Sequence, residues 1–273
     1  MFLAYPYVVW SAIFVIIPLI LVVFFSFTKE SGGGYAFTLE NYKEVIDPIY
    51  ESFGRSILLA GGATLICLIV GYPVAYIISK ARVSRRGSLI LLFILPMWMN
   101  FLLRTYAWVA ILGKNGLLNT FLGWFGIQPL AILYTNFAIL LGMVYNFLPF
   151  MVLPIYTALS KMDNDLINAA HDLGANNMTV FRKIIFPLSL PGVMSGITMV
   201  FMPAVTTFAI SRLLGGGKIM LVGDLIEQQF TVVGDWNFGS AISIFMMIVI
   251  LISMSIMSKF GDESDKEGGG LLF

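Results

Sequence analysis

The chain alternates long apolar runs with short polar links, and the runs have the length of a membrane crossing. They cover about 5–27, 56–78, 88–112, 132–159, 188–213 and 238–257. A hydrocarbon core of ~30 Å takes about 20 helical residues, so each run predicts one transmembrane helix and the fold class is an all-α, six-span membrane bundle. The first run exceeds the length of a secretory signal core and lacks a basic leader and a small-x-small cleavage site, so it is read as a retained span. Pro18, Pro73, Pro96, Pro149, Pro154 and Pro203 fall inside the runs. Each removes a backbone donor, which lipid tolerates only where neighbouring helices or water satisfy the freed carbonyl. Kinked helices around a cavity are therefore expected. Gly192 and Gly196 form a small-x-x-x-small pair suited to close helix packing, within the chain or against another subunit.

The polar links fix an orientation. Lys80, Arg82, Arg85 and Arg86 crowd the link after the second run, and Lys161, Arg182 and Lys183 lie in the link after the fourth. The positive-inside bias makes both links cytoplasmic. An even number of spans then places both termini inside, where Lys259 and Lys266 add to the same side. The opposite links, 28–55, 113–131 and 214–237, carry fewer basic residues for their length, and the first and last are rich in acids. The resulting organisation is a transmembrane domain over 1–258, with a polar segment at 160–187, and a cytoplasmic tail over 259–273. The tail is charged and then glycine-rich from 262, the composition of a disordered segment.

Composition narrows the function classes. With 59% hydrophobic and 11% charged residues and a mean hydropathy of +0.91, a soluble domain is excluded. A net charge of +1 gives no pull towards nucleic acid. Cys67 is the only cysteine and His171 the only histidine, so an intrachain disulfide, zinc-protease chemistry and a Ser-His-Asp triad are all impossible. Gly215-Gly216-Gly217-Lys218 fails as a phosphate loop, because the spacing is wrong and Ile219 stands where a metal-binding hydroxyl is required. Ser195 lacks the spacing of a nucleophile motif and reads as a packing serine. No enzyme, metal site or cofactor site is expected in this chain.

Two places carry the chemistry that remains. The segment from Asp163 to Pro187 sets Ala169 and Ala170 side by side, Gly174 four positions on, Phe181 seven further, and then Pro187 at the opening of the next span. A helix with such a face is suited to docking a cytosolic partner. Arg104 sits within the third run, where burying a cation costs on the order of 3 kcal/mol. Asn100, Tyr106 and Trp108 beside it, with Tyr145 and Asn146 of the fourth run, are candidates for a polar and aromatic path; the alternative is that Arg104 snorkels to the interface. No Asp or Glu lies inside any run. Any cation crossing would meet ring faces, amide and hydroxyl oxygens and kink carbonyls, each cation–π contact contributing roughly 0.5–2 kcal/mol. On the opposite side, Asp224, Glu227 and Asp235 are candidates for contact with an outer partner, or simply a solvated loop.

The sequence Asn168-Ala169-Ala170-x-x-x-Gly174, followed by Phe181 and Pro187, resembles the Glu-Ala-Ala…Gly signature of bacterial ABC-importer permeases, with Asn168 in place of Glu. Gly71 to Tyr76, Leu95 to Tyr106, Gly142 to Tyr156, Val222 to Ile226 and Asp235 to Gly239 are similar to the permeases of spermidine/putrescine importers in particular. The resemblance implies a type I importer (MetI-like) fold in the bacterial plasma membrane and a coupling helix formed by Asn168, Ala169, Ala170, His171, Asp172 and Gly174, with Phe181 and Pro187. It also implies partners: a second permease, an ATPase dimer that uses ATP and Mg, and an extracytoplasmic polyamine-binding protein. Transport would follow alternating access driven by the ATPase. A permease for another small solute (an anion, a metal chelate or an amino compound) and a passive cation channel or uniporter are the competing readings. Membrane potential alone favours cation entry by about 2.3 kcal/mol per charge per 100 mV.

Overall fold

The computed structural model describes residues 5–31 and 34–269, with side chains over 6–30, 34–44 and 50–255. Helices α1 (Tyr5–Ser11) and α2 (Ile17–Ser26) are joined by a π-turn at Ala12–Ile16 and make the first crossing. A hairpin of β1 (Thr28–Ser31) and β2 (Gly34–Phe37) pairs antiparallel with Thr28 opposite Phe37. Then follow α3 (Glu40–Lys80), α4 (Val83–Trp98), α5 (Phe101–Leu112), α6 (Leu117–Gly123) and α7 (Asn136–Ser160). The chain continues through α8 (Asn164–Asp172), α9 (Asn177–Val180), α10 (Phe186–Thr206), α11 (Ala209–Gly215), α12 (Val222–Gln228) and α13 (Trp236–Gly269). Five helices among the described residues are long and apolar enough to cross a membrane, or six if the bent pair beginning at Val83 counts as one span.

That bent pair departs from the expected straight span over 88–112. The chain turns by 90° between Trp98 and Phe101. Pro96 withholds a backbone donor within the last turn of α4, Met99 goes extended at ψ 147°, and Asn100 opens α5 as its N-cap. Its side-chain oxygen accepts from the N–H groups of Leu102 (2.9 Å) and Leu103 (3.3 Å), which satisfies donors the new helix leaves free. The fifth span also differs from 188–213. It starts at Asn177 and ends at Thr206, where Thr207 turns extended. Residues 209–215 form the separate α11. The last helix runs on to Gly269, so no break separates 258 from 259 and the tail begins as helix rather than as a disordered segment. Residues 270–273 and the side chains of Lys259 and Lys266 lie outside the described residues.

Two prolines announce themselves through π-turns. Pro18 and Pro187 each follow one, at Ala12–Ile16 and Phe181–Ile185, where Ile17 N–H reaches Ala12 O and Phe186 N–H reaches Phe181 O. A proline ring crowds the carbonyl four residues back, and one wider turn relieves it without breaking the helix.

The core is the seam between α3, α7 and α10. Ala60, Ala63, Cys67 and Ala75 of α3 meet Met143, Met151, Val152 and Ile155 of α7 and Val193, Val200 and Ala204 of α10, all buried. Lipid supplies no hydrophobic drive between helices, so small residues that let backbones approach must supply contact instead. Gly192 and Gly196 do this within the chain. A Cβ at Gly192 would stand 2.7 Å from Pro154 O, and one at Gly196 2.7 Å from Met151 Sδ. The first crossing is different in kind, because none of its best apolar window is buried in the chain. It leans on α13, and Asn237 fastens the two by donating from Nδ2 to Phe25 O (3.1 Å) and Thr28 O (2.7 Å).

Candidate coupling surface and translocation path

The polar segment folds as two short helices, not one. Asp163 caps α8 by accepting from Asp165 N–H (2.9 Å), and Gly174 ends the turn after it at φ +83°, a left-handed conformation that favours glycine. Asn176 then caps α9, accepting from Thr179 N–H at 2.8 Å. Ile167 and Ala170 pack α8 inward, and a small cleft lined by Tyr76, Ser79, Lys80, Leu159, Ile167 and Ile185 shows that the ends of α3, α7 and α10 meet beneath it. The basic link after Lys80 and the docking segment therefore share one end of the bundle, as the charge pattern requires.

Asn168, Ala169, His171, Asp172 and Gly174 are exposed on this unit. Phe181 and Pro187 are not part of it. Phe181 packs edge-on against Tyr72 (5.9 Å) and Tyr76 (6.0 Å) of α3, and Pro187 lies in the first turn of α10. They anchor the base on which α8 stands. Two residues passed over in the sequence reading complete the face: Leu166 is 51% and Leu173 90% exposed. With Ala169 they follow at i, i+3 and i+7 and so share one side. Two leucines seven apart in an otherwise polar segment were the available signal.

Of the path candidates, two form a cluster. The Trp108 and Tyr145 rings meet edge-on at 5.4 Å, joining α5 to α7. Arg104, one turn before Trp108, is only 8% exposed and its Nε has no hydrogen-bond partner, so it is enclosed by protein and does not snorkel. Asn146, beside Tyr145, is buried; its amide donates to Gly142 O (2.9 Å) and its carbonyl oxygen is unpartnered. Tyr106 lies about 200° around α5 from Arg104 and is 55% exposed. Asn100 is the α5 cap at the bend. Neither joins the cluster.

Across the bundle, the acids are partly structural. Asp235 caps α13 by accepting from Phe238 N–H (2.9 Å). Glu227 pairs with Arg212 and accepts from the Thr231 hydroxyl (3.1 Å). Asp224 accepts from Leu221 N–H (2.9 Å) at the start of α12. Burial pushes the Asp224 carboxyl above its usual range, opposed by a Ser211 hydrogen bond, the Leu221 N–H and the Arg212 charge. A raised value in the folded state favours the protonated form there, so its stability contribution is complete in acid and is lost as pH climbs through that raised value. Asp224→Asn, which keeps an acceptor for Leu221, is expected to abolish this loss. Melting curves of parent and variant should approach each other in acid, with the variant the more stable at neutral pH.

These features define a class: a bundle of kinked apolar helices with a short polar helix pair exposed at its basic end. The model of the binding-protein-dependent transport system inner membrane components matches residues 68–262, and the chain belongs to that family. It is a type I ABC-importer permease and a transport subunit, not an enzyme. It is 43% identical to the spermidine/putrescine transport system permease protein PotB of Haemophilus influenzae over 249 residues, 89% of this chain and 87% of that protein. It is 40% identical to the protein of the same description from Escherichia coli K12 over 247 residues, 88% of this chain and 90% of that protein. Among solved structures it is similar in fold to a bacterial importer of the acidic polysaccharide alginate (TM-score 0.79, 16% identity, 96% of this chain and 93% of that chain). It is also similar to the inward-facing MetNI methionine transporter (TM-score 0.60, 14% identity, 81% of this chain and 98% of that chain).

Proposed function

We propose that this chain is one of two permease subunits that carry spermidine and putrescine inwards across the bacterial plasma membrane. The observation that carries the substrate is the 43% identity to a spermidine/putrescine permease over 89% of the chain. An ATPase dimer, using ATP and Mg that this chain does not itself bind, takes α8 into a groove through Leu166, Asn168, Ala169, His171, Asp172 and Leu173. Movement of α8 passes to α3 and α10 through Phe181 and the aromatic packing around it, and the helix bundle alternates between outward and inward openings. Both termini are cytoplasmic, which places α8 and the basic links on the ATPase side. Selection of the polyamine belongs to the extracytoplasmic binding protein, because the apolar runs hold no carboxylate for a polycation and Glu51, at the start of the second span, is paired with Arg55. The Trp108 and Tyr145 rings give the ammonium groups transient contacts, and the enclosed Arg104 charge keeps them from lodging there.

The test is reconstitution. Proteoliposomes holding this chain, its second permease and the ATPase should accumulate radiolabelled spermidine only with ATP inside and the binding protein outside. Vesicles holding this chain alone, with an inside-negative potential, should accumulate none. Potential-driven uptake by the chain alone would make it a uniporter and defeat the proposal.

A further inference from the structure

On the side of the bundle opposite α8, the chain doubles back on itself before the last crossing. Helix α10 stops at Thr206, α11 leads to Gly216 and Gly217, both at positive φ (62° and 70°), and α12 returns against it. The return is anchored at its start. Val222 N–H donates to Ser56 Oγ of α3 (2.9 Å), and Gly223 sits so close to the Thr206 and Thr207 carbonyls that a Cβ would meet them at 2.5 and 2.7 Å. The two arms enclose a cleft of about 290 Å³ whose walls include Arg212, Ile219, Met220, Asp224, Glu227 and Gln228. Clefts that hold small molecules begin near ~300 Å³, whereas the one beneath α8 measures about 10 Å³.

We propose that this cleft binds an alkylammonium group, and that Arg212 is a tethered stand-in which the ligand's nitrogen displaces from Glu227. Resting on the polyamine reading above, the inference gives the outer mouth an ammonium site distinct from the ring pair at Trp108 and Tyr145. Three features carry it. The cleft holds two carboxylates against one guanidinium, a surplus that suits a cation and disfavours an anion. The partners of the ion pair are unequally held: the Glu227 side chain is 23% exposed, while the Arg212 side chain is 53% exposed and reaches further into solvent. An ion pair whose cation is largely exposed contributes little, so one cation can be exchanged for another. Ile219 and Met220 give the methylenes of an alkylamine an apolar wall beside those charges.

The experiment measures equilibrium binding of radiolabelled spermidine to the purified permease–ATPase complex without the binding protein. Three variants are compared with the parent: Glu227→Gln, Arg212→Gln and Lys218→Gln. Lys218 carries the same charge as Arg212 but does not line the cleft, its Nζ lying 6.0 Å from the Tyr134 ring centroid. The site predicts opposite signs. Glu227→Gln should weaken binding about 10-fold and Arg212→Gln should tighten it about 3-fold, with Lys218→Gln unchanged. Should Glu227→Gln fail to assemble, the sign of Arg212→Gln decides alone. If the pair is only a latch holding α11 to α12, both substitutions shift binding the same way or not at all, and the inference is overturned. It is equally overturned if Lys218→Gln matches Arg212→Gln, since the effect is then a general field. Import of spermidine by the parent transporter is measured alongside: its absence defeats the polyamine function, whereas import with binding indifferent to Glu227 defeats only the cleft.

Discussion

Replacing Leu173 by Asp should leave the membrane bundle folded and silence the transporter. Leu173 is 90% exposed at the end of α8, so the substitution removes almost no contact within the chain. What it changes is the face formed with Leu166 and Ala169, which has value only when something covers it. Central apolar anchors of an interface contribute about 2 kcal/mol or more each, roughly 30-fold in affinity, and an unpaired carboxylate in their place adds a desolvation cost. Copurification of the ATPase with the permease pair and ATP-driven spermidine uptake should therefore both fall at least ~30-fold, with Leu173→Met close to parent. Gly174→Asp reaches a similar end by another route. The space around Gly174 is open, but its φ of +83° is strained for any residue with a Cβ, by about 1–2 kcal/mol, so this variant tilts α8 as well as charging its edge. Parent-like uptake by Leu173→Asp would remove α8 from the ATPase interface.

The membrane crossings were legible because lipid forces the issue: a run such as 132–159 has no other solution than a helix, and α7 forms there over Asn136–Ser160. The bend at Met99 was not, because the apolar run 88–112 passes over it with Asn100 as the only polar residue beside it. Pro96 followed four residues later by a capping residue was the local signal, and apolar length masked it. The same masking merged α11 into the fifth span. In the candidate path, neighbours in sequence were grouped although a helix points them apart, which is why Tyr106 falls away from Arg104 and Trp108. The acids posed the opposite difficulty. Asp224 and Asp235 spend oxygens on the first turns of α12 and α13, and such capping depends on where a helix begins, which the charge pattern leaves open. The docking knob was read from small residues and one glycine, while the leucines that complete its face lie outside that signature.

Gly192 should be the least replaceable glycine of the seam between α7 and α10, and the reason is what it faces. A Cβ there would meet Ala158 Cβ at 2.6 Å, Pro154 O at 2.7 Å and Ile155 Cα at 3.3 Å, two of the three being backbone of α7. Backbone cannot rotate aside as a side chain can, so α10 must move off α7 along a seam that also positions Ser189, whose hydroxyl is bonded to Tyr72 of α3 at 2.9 Å. Overpacking a tight core costs about 1–3 kcal/mol, and Gly192→Ala belongs at the upper end. Gly196 has a softer neighbour in the Met151 thioether at 2.7 Å, with Met151 O behind it at 3.2 Å, so Gly196→Ala should cost less. Gly61, in the middle of α3 with nothing within 4 Å, offers the reverse case. There alanine gains helix propensity of ~0.5–1 kcal/mol and should be neutral or stabilising. Thermal unfolding of the assembled transporter should rank the three alanine variants Gly192 below Gly196 below Gly61. Equal stability of Gly192→Ala and Gly61→Ala would mean that α7 and α10 do not meet along this seam.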